Sequence, residues 1–181
     1  MNPFTRRYKI PLLIALVVGL AVIALGRETY WLNAIYAFLG SIAGAFIIDL
    51  EYPVHAYSID SSSEQSRKVK DFISFKDFRG FIDYLNENEY SFGELSIRSA
   101  LFQVILAVFA LYVVTAQSFI LGQTLVLSIS ANLLYAQVME LNKTQNLRRW
   151  FWVYSGEVGD KFYKIYLFLM ILILVWIFTL I

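Results

Sequence analysis

The sequence predicts an all-α, polytopic membrane helix bundle, and three observations carry that prediction. Of its 181 residues 59% are hydrophobic and only 16% charged, and the mean hydropathy is +0.60, outside the range of soluble globular chains. The apolar residues are also gathered into five runs, each long enough or nearly so to cross roughly 30 Å of hydrocarbon. The runs fall at about 9–26, 30–50, 99–116, 119–139 and 162–181, which makes residues 1–181 a single integral membrane domain with one long polar loop at 51–98.

The first run follows Arg6, Arg7 and Lys9 and ends at Ala24-Leu25-Gly26. That pattern also fits a signal peptide with a small-residue cleavage site, but the run is longer than a usual signal core and the second follows almost at once, which favours a retained span. On the second run Ala37, Gly40, Ser41 and Gly44 form a small-residue face with a Gly-x-x-x-Gly step, so another helix of the same chain is expected to approach there. The loop carries Ser61-x-x-Glu64, Ser74-x-x-Asp77 and Ser91-x-x-Glu94, three capping boxes that predict three short helices. In the middle one Phe75, Phe78, Ile82 and Leu85 recur at helical spacing away from Lys76, Arg79, Asp83 and Asn86, the pattern of a helix lying in the headgroup layer.

The fourth run is polar for a span, with Gln123, Thr124, Ser128, Ser130, Asn132 and Gln137 before Glu140 at its end. Such groups avoid lipid, so this helix belongs in the interior, with the second and third spans beside it at the centre. Leu147, Trp150, Phe151 and Tyr154, next to Arg148 and Arg149, read as an aromatic and basic stretch at the inner interface. The last run is almost purely apolar and is expected at the periphery.

Charge sets an orientation. Every Lys and Arg except Arg27 falls at or before the start of the first run, between the second and third, or between the fourth run and the start of the fifth. The positive-inside rule then places the N-terminus in the cytoplasm and the C-terminus on the far side of a cell (inner) membrane. Far-side connections, at 27–29 and 115–118, are minimal, so chemistry and partner binding are sought on the cytoplasmic side. Absence of cysteine excludes disulfides, thiolate metal sites and cysteine nucleophiles. No phosphate loop, dinucleotide fingerprint or serine-histidine elbow is present, and cations bordering spans speak for lipid contact rather than nucleic acid.

The best functional clue is Asp49-Leu-Glu51-Tyr-Pro53-Val-His55, where two carboxylates and the chain's single histidine leave an apolar run together. Hard oxygen ligands from Asp49 and Glu51 and an imidazole nitrogen from His55 suit a divalent metal, which would activate water or polarise a lipid phosphate. Pro53 is expected to end the helix and let His55 turn back. Gln103, Asn132, Gln137 and Glu140 reach the same membrane face and are the supporting polar residues. The bland alternative is that acidic residues at a span end are simply solvated.

The stretch Gly44-Ala-Phe-Ile-Ile-Asp49-Leu-Glu51-Tyr-Pro53 resembles the Gly-x-x-x-Pro-Asp-x-Asp-His-Pro segment of the YdjM-like inner-membrane family of metal-dependent hydrolases. The resemblance matches Asp49 and Glu51 to the two aspartates and implies a hydrolase-like ancestry with a bound divalent metal. Ile48 and Tyr52 replace the proline and histidine, and Asn132 and Ala136 stand where such proteins can carry His and Asp on a later span, so the implied metal site is either altered or degenerate. A non-enzymatic scaffold or accessory protein, presenting its cytoplasmic surface to a membrane or cytoplasmic partner, is the alternative. A small transporter ranks third, since no internal repeat or mid-membrane charge supports it.

Overall fold

A computed structural model describes residues 2–26, 30–93, 95–116, 119–154 and 159–181, and every regular element among them is a helix. The connection expected at 27–29, Gln117 and Ser118 of the next one, and Glu94 of the third capping box lie outside the described residues. Four helical segments are long and apolar enough to cross a membrane: α1 (Pro3–Leu25), the rod Trp31–Ile59 that begins with α2 (Trp31–Ile47), α7 (Ile120–Thr144), and Lys161–Phe178 within α8 (Asp160–Phe178). The remaining apolar helix, α6 (Ala100–Thr115), has 16 residues. At about 1.5 Å per residue it is roughly 24 Å long, short of the ~30 Å hydrocarbon thickness.

Local chemistry explains where these helices begin. Asn2 accepts the Phe4 N–H at 3.1 Å and Pro3 occupies the first turn of α1, where its missing N–H costs nothing. Ser99 likewise caps α6 by accepting from Phe102 N–H at 3.1 Å. Pro53 does not end its helix, contrary to expectation. The carbonyl of Asp49 loses the N–H that proline lacks, and the chain tightens into a 3-10 turn at Ile48–Leu50 that the Glu51 N–H closes on the Ile48 carbonyl. Helix then resumes as α3 (Glu51–Val54) and widens into a π turn at His55–Ile59.

α2 and α7 run parallel and make the closest helix pair. A Cβ at Gly40 would strike the Leu121 carbonyl and Thr124 Oγ1, and one at Gly44 would lie 2.7 Å from the Leu125 carbonyl oxygen. Ser128 Oγ donates to the Ser41 carbonyl at 2.6 Å across the same seam. The small-residue face therefore packs within the chain. α7 is the interior helix, with 56% of its most apolar window buried against 22% for the peripheral α8. Its polar stripes face different neighbours: Thr124 and Ser128 meet α2, whereas Ser130 lines a void of about 20 Å³ with Gln103 of α6 and Met170 of α8. α1 completes the tight trio with α2 and α7, and α6 sits outside it against α7 and α8; the expected centre of second, third and fourth spans is corrected accordingly.

The 51–98 segment folds onto one end of the bundle. α4 (Glu64–Ser74) is capped by Ser63 and α5 (Phe78–Asn88) by Asp77, whose carboxylate accepts the Gly80 N–H at 2.9 Å, so both caps fall two or three residues beyond the serines expected to serve. Ser91 of the third box starts no helix among the described residues; it ends a 3-10 turn, Glu89–Ser91. A small second core of Tyr52, Ala56, Val69, Leu85, Phe92 and Leu95 holds this segment together. Leu85 faces that core, but Phe75 and Phe78 stay 80% and 64% exposed at the tip between α4 and α5. Leu147 and Trp150 are fully buried, not spread along an interface, while Tyr154 remains exposed.

Candidate functional site

Asp49 sits in the 3-10 turn that follows α2, and four donors converge on it. Arg7 Nε reaches Oδ2 at 2.5 Å and Arg7 Nη2 reaches Oδ1 at 2.7 Å; Tyr8 Oη donates to Oδ2 at 2.8 Å and Arg98 Nη2 to Oδ1 at 3.1 Å. A carboxylate offers about four lone-pair sites, so the acceptor capacity of Asp49 is filled. Glu89 completes the arrangement, pairing with Arg98 Nη1 and lying 3.5 Å from Arg7 Nη1. The four charges thus form a closed, electroneutral ring of Asp49, Arg7, Glu89 and Arg98. Both guanidinium groups also pack on the ring of Tyr52, at 5.6 and 5.2 Å from its centroid.

Each member comes from a different segment: Arg7 from α1, Asp49 from the end of the α2 helix, Glu89 from the turn after α5, and Arg98 from just ahead of α6. Side-chain exposure is 7% for Arg7 and 5% for Arg98. Burial alone would raise the Glu89 carboxyl, but Arg98 and Arg7 outweigh it and hold Glu89 below the ordinary glutamate range.

Glu51 points elsewhere. It accepts the backbone N–H of Ile97 and, at 3.2 Å, that of Arg98, so it fixes the turn leading into α6. His55 is buried edge-on to Phe92 at 6.3 Å between centroids, and its Nδ1 has no hydrogen-bond partner among the described residues. Asp49, Glu51 and His55 are therefore committed to three different surroundings. Among the described residues no group of three His, Cys, Asp or Glu side chains is placed to hold a metal ion.

The supporting residues also separate. Gln103 accepts from Tyr166 Oη at 2.9 Å, on the side away from Asp49. Glu140 accepts from Arg149 Nη2 at 2.6 Å and from Trp150 Nε1 at 2.9 Å, and Arg149 continues to the Glu89 carbonyl at 2.6 Å. Gln137 is buried with neither amide atom partnered among the described residues. Only Asn132 shares a space with Asp49, a cavity of about 310 Å³ between α1 and α7 whose wall includes the charge ring.

The chain matches no family model, no curated protein and no solved structure. Its functional reading therefore rests on this geometry alone. Residues that sequence reasoning had assigned to orientation, namely Arg7, Arg98 and Arg149, are the ones that organise the site, and Tyr8 and Glu89 had drawn no notice. The available signal was position: Arg7 lies in the basic cluster that opens the first apolar run, and Arg98 is the last cation before the third. Chemically the arrangement binds segments together; its carboxylates are occupied and its net charge is zero.

Proposed function

We propose that this chain is a non-enzymatic membrane scaffold whose cytoplasmic face holds the 51–98 segment in one orientation for a protein partner. In this reading the N-terminus is cytoplasmic, the C-terminus lies on the far side of the inner membrane, and the charged end of the bundle faces the cytoplasm, in keeping with its cations. The observation that carries it is Asp49 saturated by Arg7, Tyr8 and Arg98. A carboxylate so engaged fastens three segments and is not poised for metal or substrate. Phe75 and Phe78, exposed beside Lys76 and Arg79, supply the partner-facing tip.

The metal-dependent hydrolase implied by the Gly44–Pro53 resemblance needs Asp49 released from two arginines. One preparation separates the readings. Solubilised gently from its own membrane, the wild-type protein should migrate as a larger complex, and Phe75→Ser/Phe78→Ser should shift it to the free chain without changing its melting temperature. Stoichiometric metal in the purified protein, lost in Asp49→Ala, would overturn the scaffold.

A further inference from the structure

The cavity beside the charge ring has features that the ring does not use. Its lining brings four cations, Arg6, Arg7, Arg98 and Lys143, against two carboxylates, Asp49 and Glu89, a surplus of two positive charges. Arg7 and Arg98 are neutralised within the ring. Arg6 and Lys143 have no carboxylate partner among the described residues, and both are exposed at the rim.

The surplus charge of the lining makes an anion the fitting occupant.

The apolar part of the wall says where the anion comes from. Ile10, Pro11, Ala45, Ile48, Ala136 and Met139 line the same cavity. Farther along α1 lies an apolar groove of about 550 Å³, between Leu13, Ile14, Val17 and Val18 of α1, Ala131 of α7 and Val175 and Phe178 of α8. Arg7, Pro11, Ile14, Val18, Ala21 and Leu25 succeed one another at three- and four-residue steps, so one face of α1 borders both spaces. From Arg7 to Val18 the helix rises about 16 Å, the depth of one leaflet's hydrocarbon.

We propose that the crevice between α1 and α7 binds one anionic phospholipid. Its phosphate sits between Arg6, Lys143 and the ring, and one acyl chain lies along α1. This site is separate from the partner-facing tip and stands whether or not the scaffold reading holds.

The test uses the full-length protein, delipidated in detergent, with phosphatidylglycerol as probe, phosphatidylcholine of the same chains as a neutral comparison and free glycerol phosphate as a soluble one. Native mass spectrometry should show a single retained phosphatidylglycerol, bound far more tightly than either comparison. Arg6→Gln/Lys143→Gln should weaken it by roughly tenfold to thirtyfold, since each near-surface cation is worth about a factor of five toward an anionic lipid. Arg6→Lys/Lys143→Arg should retain it, and lipid-free melting should stay unchanged in both variants. Equal binding of phosphatidylcholine, a graded series of adducts with no preferred first lipid, glycerol phosphate as tight as the lipid, or no response to charge removal would each overturn the proposal.

Discussion

At the scale of the residue, Asp49 is the most consequential side chain because so much depends on one carboxylate. Two guanidinium groups and a phenol lose solvent to reach it, and that desolvation is repaid only while both oxygens accept. Asp49→Asn keeps the shape, but it removes the charge and turns an N–H toward an arginine. The variant should lose about 3–5 kcal/mol, the usual cost of breaking one side of a buried ion pair, read from denaturant unfolding in detergent. Pairing it with Arg98→Gln should cost less than the two changes summed, because the second removes a charge the first has already orphaned. Asp49 itself was legible in the sequence as a carboxylate ending an apolar run. Its partners were not, since Arg7 lies 42 positions away and Arg98 lies 49, and pairing at such separations leaves no local periodicity.

At the scale of the element, the α2–α7 seam fixes the bundle by backbone approach. Hydrophobic transfer gives little reason for two apolar helices to associate in lipid, so close packing of small residues and bonds such as Ser128 to Ser41 do the work. Gly40 is the tightest point, with carbonyl backbone where its Cβ would stand. Gly40→Ala should therefore force the helices apart and destabilise the fold by roughly 1–3 kcal/mol, whereas Gly122→Ala, which has open space at the same position, should be neutral; parallel melting curves decide it. The Gly-x-x-x-Gly step and the polar stripes made this seam readable. Harder to read was Pro53: its effect depended on whether the helix would stop or change pitch, and the chain changes pitch, with a 3-10 turn before it and a π turn after it.

At the scale of the whole molecule, the distribution of charge is the strongest statement the chain makes about its setting. The helix count came close from apolar runs alone, since that signal is a sum over about twenty residues; α6 keeps nearly the bounds expected of the third run and, with 16 residues, is the shortest of the five apolar helices once α2 is counted with the rod it begins. Which end faces the cytoplasm follows from a different property, the placement of cations outside the spans, and the proposed orientation can be tested directly. The chain has no cysteine, so any introduced thiol is unique. Phe75, 80% exposed, lies at the end of the bundle that holds the charge ring, and Tyr30, 73% exposed, precedes α2 at the opposite end. In intact cells or spheroplasts a membrane-impermeant maleimide should label Tyr30→Cys and spare Phe75→Cys, and opening the membrane should expose Phe75→Cys to the reagent. The reverse pattern would place the arginine-rich end outside, against the positive-inside bias. It would also remove the cytoplasmic partner on which the scaffold depends, while leaving the lipid crevice to face the other leaflet.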